Sequence, residues 1–308
     1  ARVNLTPVIA AGGVAAIGLS WGLVEARSYT TRRVTVPVLP AGADPIRILH
    51  LSDLHLAPDQ HAKARWVAAL AREDVDLVID TGDNLGHPEA VPPVLRVLDG
   101  LLDRPGAFVY GSNDYYAPHM KNPFTYFSGP SELRRAPVPL PTDELTAGLV
   151  GRGWRDLTNA RSALSIKGMR VSLVGLDDPH LDRDVMPAVD SEHGDVRIGV
   201  VHAPYQRALD ALSDDGVDLV LAGHTHGGQV CVPGWGALVT NCDLDTRRAK
   251  GLHRWDESSR SFAGYRDEAM WMHVSAGVGT SPFVRLRFAC RPEATVLTLV
   301  PRVSETAP

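Results

Sequence analysis

The chain has 308 residues, of which 44% are hydrophobic and 22% charged, and its formal net charge is −5 at pH 7. A chain of this length can bury a full core, whether it forms one large α/β domain or two smaller ones. Acidic and basic residues are interspersed, so the basic patch of a nucleic-acid-binding protein is missing and we expect no nucleic-acid partner. Three cysteines without a C-x-x-C pair favour neither a zinc ribbon nor a disulfide framework.

An uncharged segment, residues 8–24, comes first along the chain and is rich in Ala, Gly, Val and Ile. It is just long enough to span a bilayer, and it predicts a single transmembrane anchor within residues 1–26. The alternative is a removable signal peptide, with Arg2 as its positive start and a cleavage site at Val24-Glu25-Ala26. We favour the anchor, and therefore a membrane-associated protein. Arginines precede and follow the segment, so the side of the membrane stays open.

The rest of the chain predicts an extended linker over 27–45 and one globular domain over 46–303. Short apolar runs that indicate strands lie at 46–51, 75–80, 107–110, 171–176, 196–201, 217–222, 237–240, 271–275 and 294–300. Stretches with helical spacing lie at 59–73, 91–102 and 205–212. Strands that alternate with helices indicate βαβ units, and the later helix-poor region indicates antiparallel strands. We therefore predict an α/β fold with two mixed β-sheets packed as a sandwich and flanking helices.

One long loop, residues 115–141, shows no clear period but contains the aromatic side chains Phe124, Tyr126 and Phe127. Loops of this length are functional lids or disordered linkers, and the aromatic residues favour a lid.

Four polar clusters directly follow strand-like runs. They contain Asp53 with His55, Asp83 with Asn84, His202, and His224 with His226. Catalytic side chains in α/β sheets gather beyond the carboxyl ends of the strands, so we expect these clusters to meet. The set suits two divalent metal ions, with Asp83 shared between them, and it selects Mn, Fe or Zn over Ca or Mg. Two such ions can clamp a phosphoryl group and activate a hydroxide for in-line attack.

The motifs around these residues resemble those of the calcineurin-like metallophosphoesterase family, over residues 46 to 300. They are Leu49-His50-Leu51-Ser52-Asp53-Leu54-His55, Gly82-Asp83-Asn84, Gly175-Leu176-Asp177-Asp178-Pro179 and Gly223-His224-Thr225-His226-Gly227-Gly228. These motifs are most similar to those of a membrane-associated branch of the family, the YkuE/YaeI-like proteins. This branch is related to enzymes that cleave UDP-diacylglucosamine.

The resemblance implies a four-layer fold and two metal sites. It implies that Asp53, His55, Asp83 and His226 hold the first ion. It further implies that Asp83, an asparagine, His202 and His224 hold the second.

The chain departs from the family at the asparagine, where the family has Gly-Asn-His-Asp or Gly-Asn-His-Glu and this chain has Gly111-Ser112-Asn113-Asp114. Without a gap, Ser112 replaces the ligand and Asn113 replaces the histidine that protonates the leaving group. With a one-residue slip, which we favour, Asn113 remains the ligand and Asp114 stands in the acid position. His119 and His180 are further candidates for the missing proton donor.

These observations predict a metallophosphoesterase that hydrolyses a phosphodiester or pyrophosphate bond, in a lipid-linked or nucleotide-type substrate. The anchor and the aromatic loop favour the lipid-linked substrate. One of Arg285 and Arg287 is a candidate for contact with an anionic substrate, and the alternative is a solvated strand face. The alternative functions are a metal-binding regulatory module of weak activity and a phosphomonoesterase or protein phosphatase.

Overall fold

The computed structural model describes residues 6–119, 129–131, 136–189, 194–259, 269–280 and 283–302, with side chains from Ala16 onward. Its strands are β1 (Thr30–Leu39), β2 (Ile46–Leu51), β3 (Leu77–Asp80), β4 (Gly106–Phe108), β5 (Arg155–Asp156), β6 (Arg161–Ile166), β7 (Met169–Gly175), β8 (Val196–Val200), β9 (Leu219–Ala222), β10 (Cys231–Val232), β11 (Gly236–Ala237), β12 (Gly251–Trp255), β13 (Met270–Val274) and β14 (Glu293–Pro301). Its α-helices are α1 (Thr6–Glu25), α2 (His61–Ala69), α3 (Val91–Leu98), α4 (Ser112–Tyr115), α5 (Thr142–Val150) and α6 (Gln206–Asp214).

Two six-stranded mixed sheets form the body of the described structure. The first has the order β1-β14-β2-β3-β4-β5, and the second has the order β12-β13-β9-β8-β7-β6. Strands β2 to β5 run parallel in the first sheet, and β7, β8, β9 and β13 run parallel in the second. Together with the flanking helices, this arrangement confirms the predicted α/β fold with two mixed sheets.

Aliphatic side chains from both sheets fill the space between them. Ile48 and Leu297 of the first sheet belong to the same buried cluster as Leu173, Ile198 and Leu221 of the second. A separate buried cluster joins the outer face of the first sheet to α2, α3 and α5. The central strands β3, β8 and β9 are buried on both faces, which is why their sequences are nearly continuous apolar runs.

The segment 27–45, which the sequence predicts as an extended linker, contains β1. Strand β1 pairs in parallel with β14 from Thr30, opposite Glu293, to Leu39, opposite Pro301. This segment therefore forms the edge of the first sheet.

The described end of α1 is attached to the body of the protein by polar contacts. The Glu25 carboxylate accepts hydrogen bonds from the main-chain N–H groups of Ala289 and Cys290. Within the described residues, no helix combines the length and the apolar character that are needed to cross a membrane. The prediction of a membrane location through a single N-terminal transmembrane segment is therefore wrong.

The long loop is described only in part. Residues 115–117 and 138–140 lie side by side, with a bridge between Tyr116 and Pro139. The aromatic residues Phe124, Tyr126 and Phe127, on which the lid prediction depends, lie outside the described residues.

Candidate metal centre

The predicted ligand clusters lie beyond the carboxyl ends of β2, β3, β8 and β9, at one edge of the sandwich. Main-chain hydrogen bonds join neighbouring ligand turns: Asp53 donates to Gly82 O at 2.8 Å, and His55 donates to Asp83 O at 2.9 Å. Gly223 donates to His202 O at 2.8 Å in the second sheet. Parallel strands therefore bring ligands from distant parts of the sequence to one place.

The backbone at the ligand turns is strained. Five of the candidate ligands have φ in the left-handed region, which side chains other than glycine rarely adopt. They are Asp53 at 52°, His55 at 38°, Asp83 at 58°, His224 at 68° and His226 at 50°. Each such residue adds about 1–3 kcal/mol of strain, which the surrounding structure has to offset, and such residues cluster at functional sites.

The first ligand group consists of Asp53, His55 and His226, whose candidate donor atoms lie within 4.8 Å of one another. The Nε2 atoms of His55 and His226 are 3.1 Å apart, and His226 Nε2 is 3.6 Å from Asp53 Oδ1. Burial lowers the pKa of His55 to about 4 and that of His226 well below its usual value. Both imidazoles are therefore neutral at pH 7, as metal ligands must be.

The second ligand group consists of Asp53, Asp83 and His202, which also meet the 4.8 Å limit. Asp83 contacts both groups, because its Oδ2 atom is 3.4 Å from His55 Nε2 and 3.5 Å from His202 Nε2. His202 donates from Nδ1 to Thr81 O at 2.7 Å, which directs Nε2 to the ligand cluster. That Nε2 atom is buried and has no hydrogen-bond partner among the described residues. Burial alone would lower the pKa of His202, but Asp83 raises it well above its usual value.

This donor set fits divalent cations. Two neutral imidazoles face each other across the first group, and a buried carboxylate attracts positive charge to the second. Carboxylates with imidazoles suit Zn, Fe or Mn.

His224 lies beside the second group. Its main-chain N–H points at Asp53, 3.2 Å from Oδ1 and 3.1 Å from Oδ2, and its ring is 5.3 Å from the ring of His202. Its Nε2 atom is 3.0 Å from Asn241 O, which can only accept, and 3.3 Å from Asn241 Nδ2. When Nε2 donates to the nearer carbonyl oxygen, the lone pair of the neutral imidazole is on Nδ1. This nitrogen is therefore the one with which His224 can bind a metal ion.

The calcineurin-like phosphoesterase family model matches residues 46–228, a range that contains all four ligand turns. The chain belongs to this family. The resemblance that the motifs indicated is thus confirmed, and the protein is a metal-dependent phosphoric ester hydrolase by family.

The chain is similar in sequence to several known phosphoesterases. It is 26% identical to the uncharacterized metallophosphoesterase YkuE of Bacillus subtilis over 288 residues, which cover 90% of this chain and 86% of that protein. It is 30% identical to the phosphodiesterase YaeI of Escherichia coli over 152 residues, 49% of this chain and 50% of that protein. It is 24% identical to the UDP-2,3-diacylglucosamine pyrophosphatase LpxG of Chlamydia trachomatis, over 82% of this chain and 83% of that protein. A solved 5'-nucleotidase precursor from Thermus thermophilus matches 83% of this chain and 54% of its own, with 14% identity and a TM-score of 0.42.

The departure from the family motif lies in α4, next to Asp83. The main-chain N–H of Asn113 donates to Asp83 Oδ1 at 2.7 Å, and its side-chain Nδ2 donates to Asp83 Oδ2 at 2.8 Å. The Ser112 Oγ atom is 3.3 Å from the same Nδ2 atom. The Asn113 amide is therefore within reach of the carboxylate that contacts both ligand groups.

Asp114 is fully buried and holds the ligand turns together. Its Oδ2 accepts from the N–H groups of Asp83 at 2.7 Å and Gly111 at 3.1 Å, and its Oδ1 accepts from Asn84 at 2.8 Å. Burial, followed by the nearby carboxylates of Asp83 and Asp80, raises the pKa of Asp114 to about 8. Both of its oxygens accept hydrogen bonds from main-chain N–H groups, so Asp114 stabilises these turns.

His180 lies at the rim of the site, where its ring is 4.7 Å from the ring of His224. Its Nδ1 atom is 3.0 Å from the Tyr205 hydroxyl, and its Nε2 atom is 3.2 Å from Ser131 Oγ. His119 is half-buried and immediately precedes the undescribed residues 120–128. Of the two histidines, the structure thus links His180 to a predicted ligand.

Asp178, in the turn 175–179, is a buried carboxyl group on which the charges of candidate ligands act, and the sequence did not single it out. Its Oδ1 does cap that turn, accepting from the His180 N–H at 2.9 Å, but its Oδ2 is buried without a partner among the described residues. Burial raises the pKa of Asp178 to about 7, and the charges of His202 and Asp83 also act on it. Its position just after the end of β7 was the available signal, because the ligand clusters follow strands in the same way.

Proposed function

We propose that this phosphoesterase is a binuclear enzyme that hydrolyses a phosphodiester or pyrophosphate bond. The observation that supports this most is the position of Asp83, whose Oδ2 atom lies within 3.5 Å of imidazoles from both ligand groups. A carboxylate between two sets of donors is what a pair of metal ions requires.

The proposed first ion is held by Asp53, His55, Asp83 and His226. The proposed second ion is held by Asp83, Asn113, His202 and His224, with His224 binding through Nδ1. The donors suit Mn, Fe or Zn. When bound, two such ions polarise a phosphoryl group and supply a water nucleophile of lowered pKa.

The leaving group needs a proton unless it is already stable as an anion. The family histidine is absent at Asn113, and the oxygens of Asp114 accept three main-chain N–H groups. We therefore assign proton donation to His180, which the Tyr205 hydroxyl orients at 3.0 Å. A positioned acid of this kind contributes about 10²–10⁴-fold to the rate.

The proposed substrate carries apolar chains, and the nucleotide-type substrate is the second candidate. The relative LpxG is a pyrophosphatase for UDP-2,3-diacylglucosamine. In this chain, Val232, Trp235, Phe283 and Val284 are exposed, with Trp235 at 79%. They lie on two segments joined beside the His226 turn, where Cys231 donates to Phe288 O and the side chain of Gln229 donates to Val284 O. Exposed apolar side chains next to a polar site suit a substrate with both characters.

The test uses the full chain, stripped of metal and reloaded with Mn²⁺. The hydrolysis of bis-p-nitrophenyl phosphate is compared with that of p-nitrophenyl phosphate, in the parent and in the Asp83→Ala and Asn113→Ala variants. Asp74→Ala is the control, because this exposed carboxylate precedes β3 whereas Asp83 follows it. We expect a preference for the diester, loss of activity in both site variants and no change in the control.

Other outcomes identify the alternatives. Preference for the monoester would favour the phosphatase alternative. Two bound ions without hydrolysis of either ester would favour the regulatory module. Full activity of Asn113→Ala would assign the ligand position to Ser112.

A further inference from the structure

Arg287 is a fully buried arginine outside the proposed ligand set. Its hydrogen bonds to oxygen all go to main-chain carbonyl groups in the described structure. From Nη2 the acceptors are Ala276 O at 2.6 Å, Gly277 O at 3.1 Å and Gly279 O at 2.5 Å; from Nη1 they are His226 O at 3.3 Å and Cys290 O at 3.4 Å. Burying a charge is unfavourable unless such partners offset it, and here five carbonyl oxygens accept from the two Nη atoms, while Nε has no partner among the described residues.

Two of the acceptor segments support the first ligand group. One is the His226 turn, whose main-chain carbonyl group accepts from Nη1 of Arg287. The other is the turn 276–279, which contacts the backbone at Asp53: Val278 donates to Ser52 O at 3.0 Å, and Gly279 donates to Asp53 O at 2.6 Å. The guanidinium group therefore joins the ligand turn after β9 to the ligand turn after β2.

The turn 276–279 also packs closely against Asp53. A methyl group in place of the α-hydrogen of Gly277 would lie 2.7 Å from the Cβ atom of Asp53. The turn 276–279 thus lies directly against a ligand side chain. A shift of this turn would move Asp53, and Arg287 donates to three of its carbonyl groups.

The end of α1 in turn holds Arg287 in place. The main-chain N–H of Arg287 donates to Gly22 O at 3.0 Å. The Glu25 side chain, which is 6% exposed, accepts from Ala289 N at 3.1 Å and Cys290 N at 2.6 Å. One main-chain contact at Arg287 and two charge-assisted contacts just after it therefore fix this segment.

We propose that Arg287 is a positioning residue for Asp53 and His226 of the first ligand group, and that Gly22 and Glu25 at the end of α1 hold it there. The proposal rests on the proposed function, because it assigns a role at the same metal site. It makes the end of α1 a part of the metal centre's support. A lysine cannot replace the arginine, because a single ammonium group cannot donate in the directions of a planar fork.

The test measures metal binding rather than activity. Metal-stripped full-length protein is titrated with Mn²⁺, and bound ions per chain and their affinities are compared for the parent, Arg287→Lys, Arg287→Met and Glu25→Gln. Arg291→Met is the matched control, because Arg291 is an exposed arginine on the same segment that donates to the carbonyl groups of Ser28 and Tyr29 instead. Thermal unfolding of each metal-free protein is recorded in parallel.

We expect one of two ions to bind about 10–100-fold more weakly in both Arg287 variants, as for other residues that orient metal ligands. Glu25→Gln should show a smaller loss at the same ion, and Arg291→Met should show none. A general structural role would instead weaken both ions together and lower the unfolding temperature of the metal-free protein.

The proposal would be overturned if Arg287→Lys and Glu25→Gln bound both Mn²⁺ ions as tightly as the parent protein does. These two variants suffice for the test if Arg287→Met does not fold. Two tightly bound ions in a parent that hydrolyses neither ester would contradict the proposed function alone. The comparison of ion affinities would still test the role of Arg287.

Discussion

A pair of buried histidines between the two sheets should make folding sensitive to acid. His50 of β2 and His273 of β13 face each other with 2.9 Å between their Nδ1 atoms, and His50 Nε2 is 3.0 Å from Thr81 Oγ1. One Nδ1 must donate and the other accept, so the accepting ring must be neutral and the two rings cannot both be protonated. Burial, followed by the charge of His253, lowers the pKa of His273 from 6.5 to about 3.

The sign of the effect follows from proton binding. Below pH 6.5 the unfolded chain takes up a proton at His273, whereas the folded chain does not until about pH 3. The stability that neutral His273 contributes is therefore complete above the unfolded pKa and is lost as the pH falls. At pH 4.5, two units below the unfolded pKa of 6.5, proton uptake by the unfolded chain lowers the free energy of unfolding by about 3 kcal/mol.

The assay compares the parent with His273→Asn, whose amide can replace the contact made by Nδ1 but does not titrate. The free energy of unfolding of both metal-free proteins is measured in urea at pH 7 and at pH 4.5. We expect the parent's advantage over the variant to shrink by about 3 kcal/mol at the lower pH. Groups that His273 does not contact titrate alike in both proteins, so an unchanged difference between parent and variant would refute the reasoning.

Three further predictions concern the metal centre. Gly277→Ala should lower the unfolding temperature and weaken Mn²⁺ binding, because its φ is 70° and the added methyl group meets Asp53; parental values in both measurements would count against that packing. Asp114→Asn should reduce diesterase activity and destabilise the protein by about 1–3 kcal/mol, since an NH₂ group replaces an acceptor of main-chain N–H groups; urea unfolding checks this. His180→Gln should slow a diester with an alkyl leaving group by about 100-fold or more and bis-p-nitrophenyl phosphate much less. Equal losses on the two diesters would argue against proton donation by His180.

The sequence predicts the centre of this fold better than its edges. The apolar run 46–51 coincides with β2, and the run 217–222 contains β9, because strands buried on both faces must be apolar throughout. The edge strands β6 and β12 were missed, since they are partly buried and carry mixed polar sequences. The predicted strand at 237–240 is largely absent: Thr240 Oγ1 instead contacts the carbonyl groups of Cys242 and Leu244 in a turn.

The ligand clusters were predictable because strand ends and residue chemistry both indicate them. Asp178 and Arg287 were not, and for different reasons. Asp178 stands in a motif that also describes an ordinary turn, and only burial of its second oxygen distinguishes it. The partners of Arg287 are carbonyl groups, which every residue has, so no side-chain pattern in the sequence could indicate a buried arginine.

The order of strands in the first sheet has a consequence for how the protein is made. Strand β14 lies between β1 and β2 and pairs with both of them. Strand β1 can therefore join the sheet only after residues 293–301 have been synthesised. Until then β2, which leads to Asp53 and His55, has an open edge on the side that β14 will cover. Pairings so distant in sequence form slowly, and open strand edges are prone to association with other chains. The nascent chain therefore exposes this edge of β2 until residues 293–301 have left the ribosome.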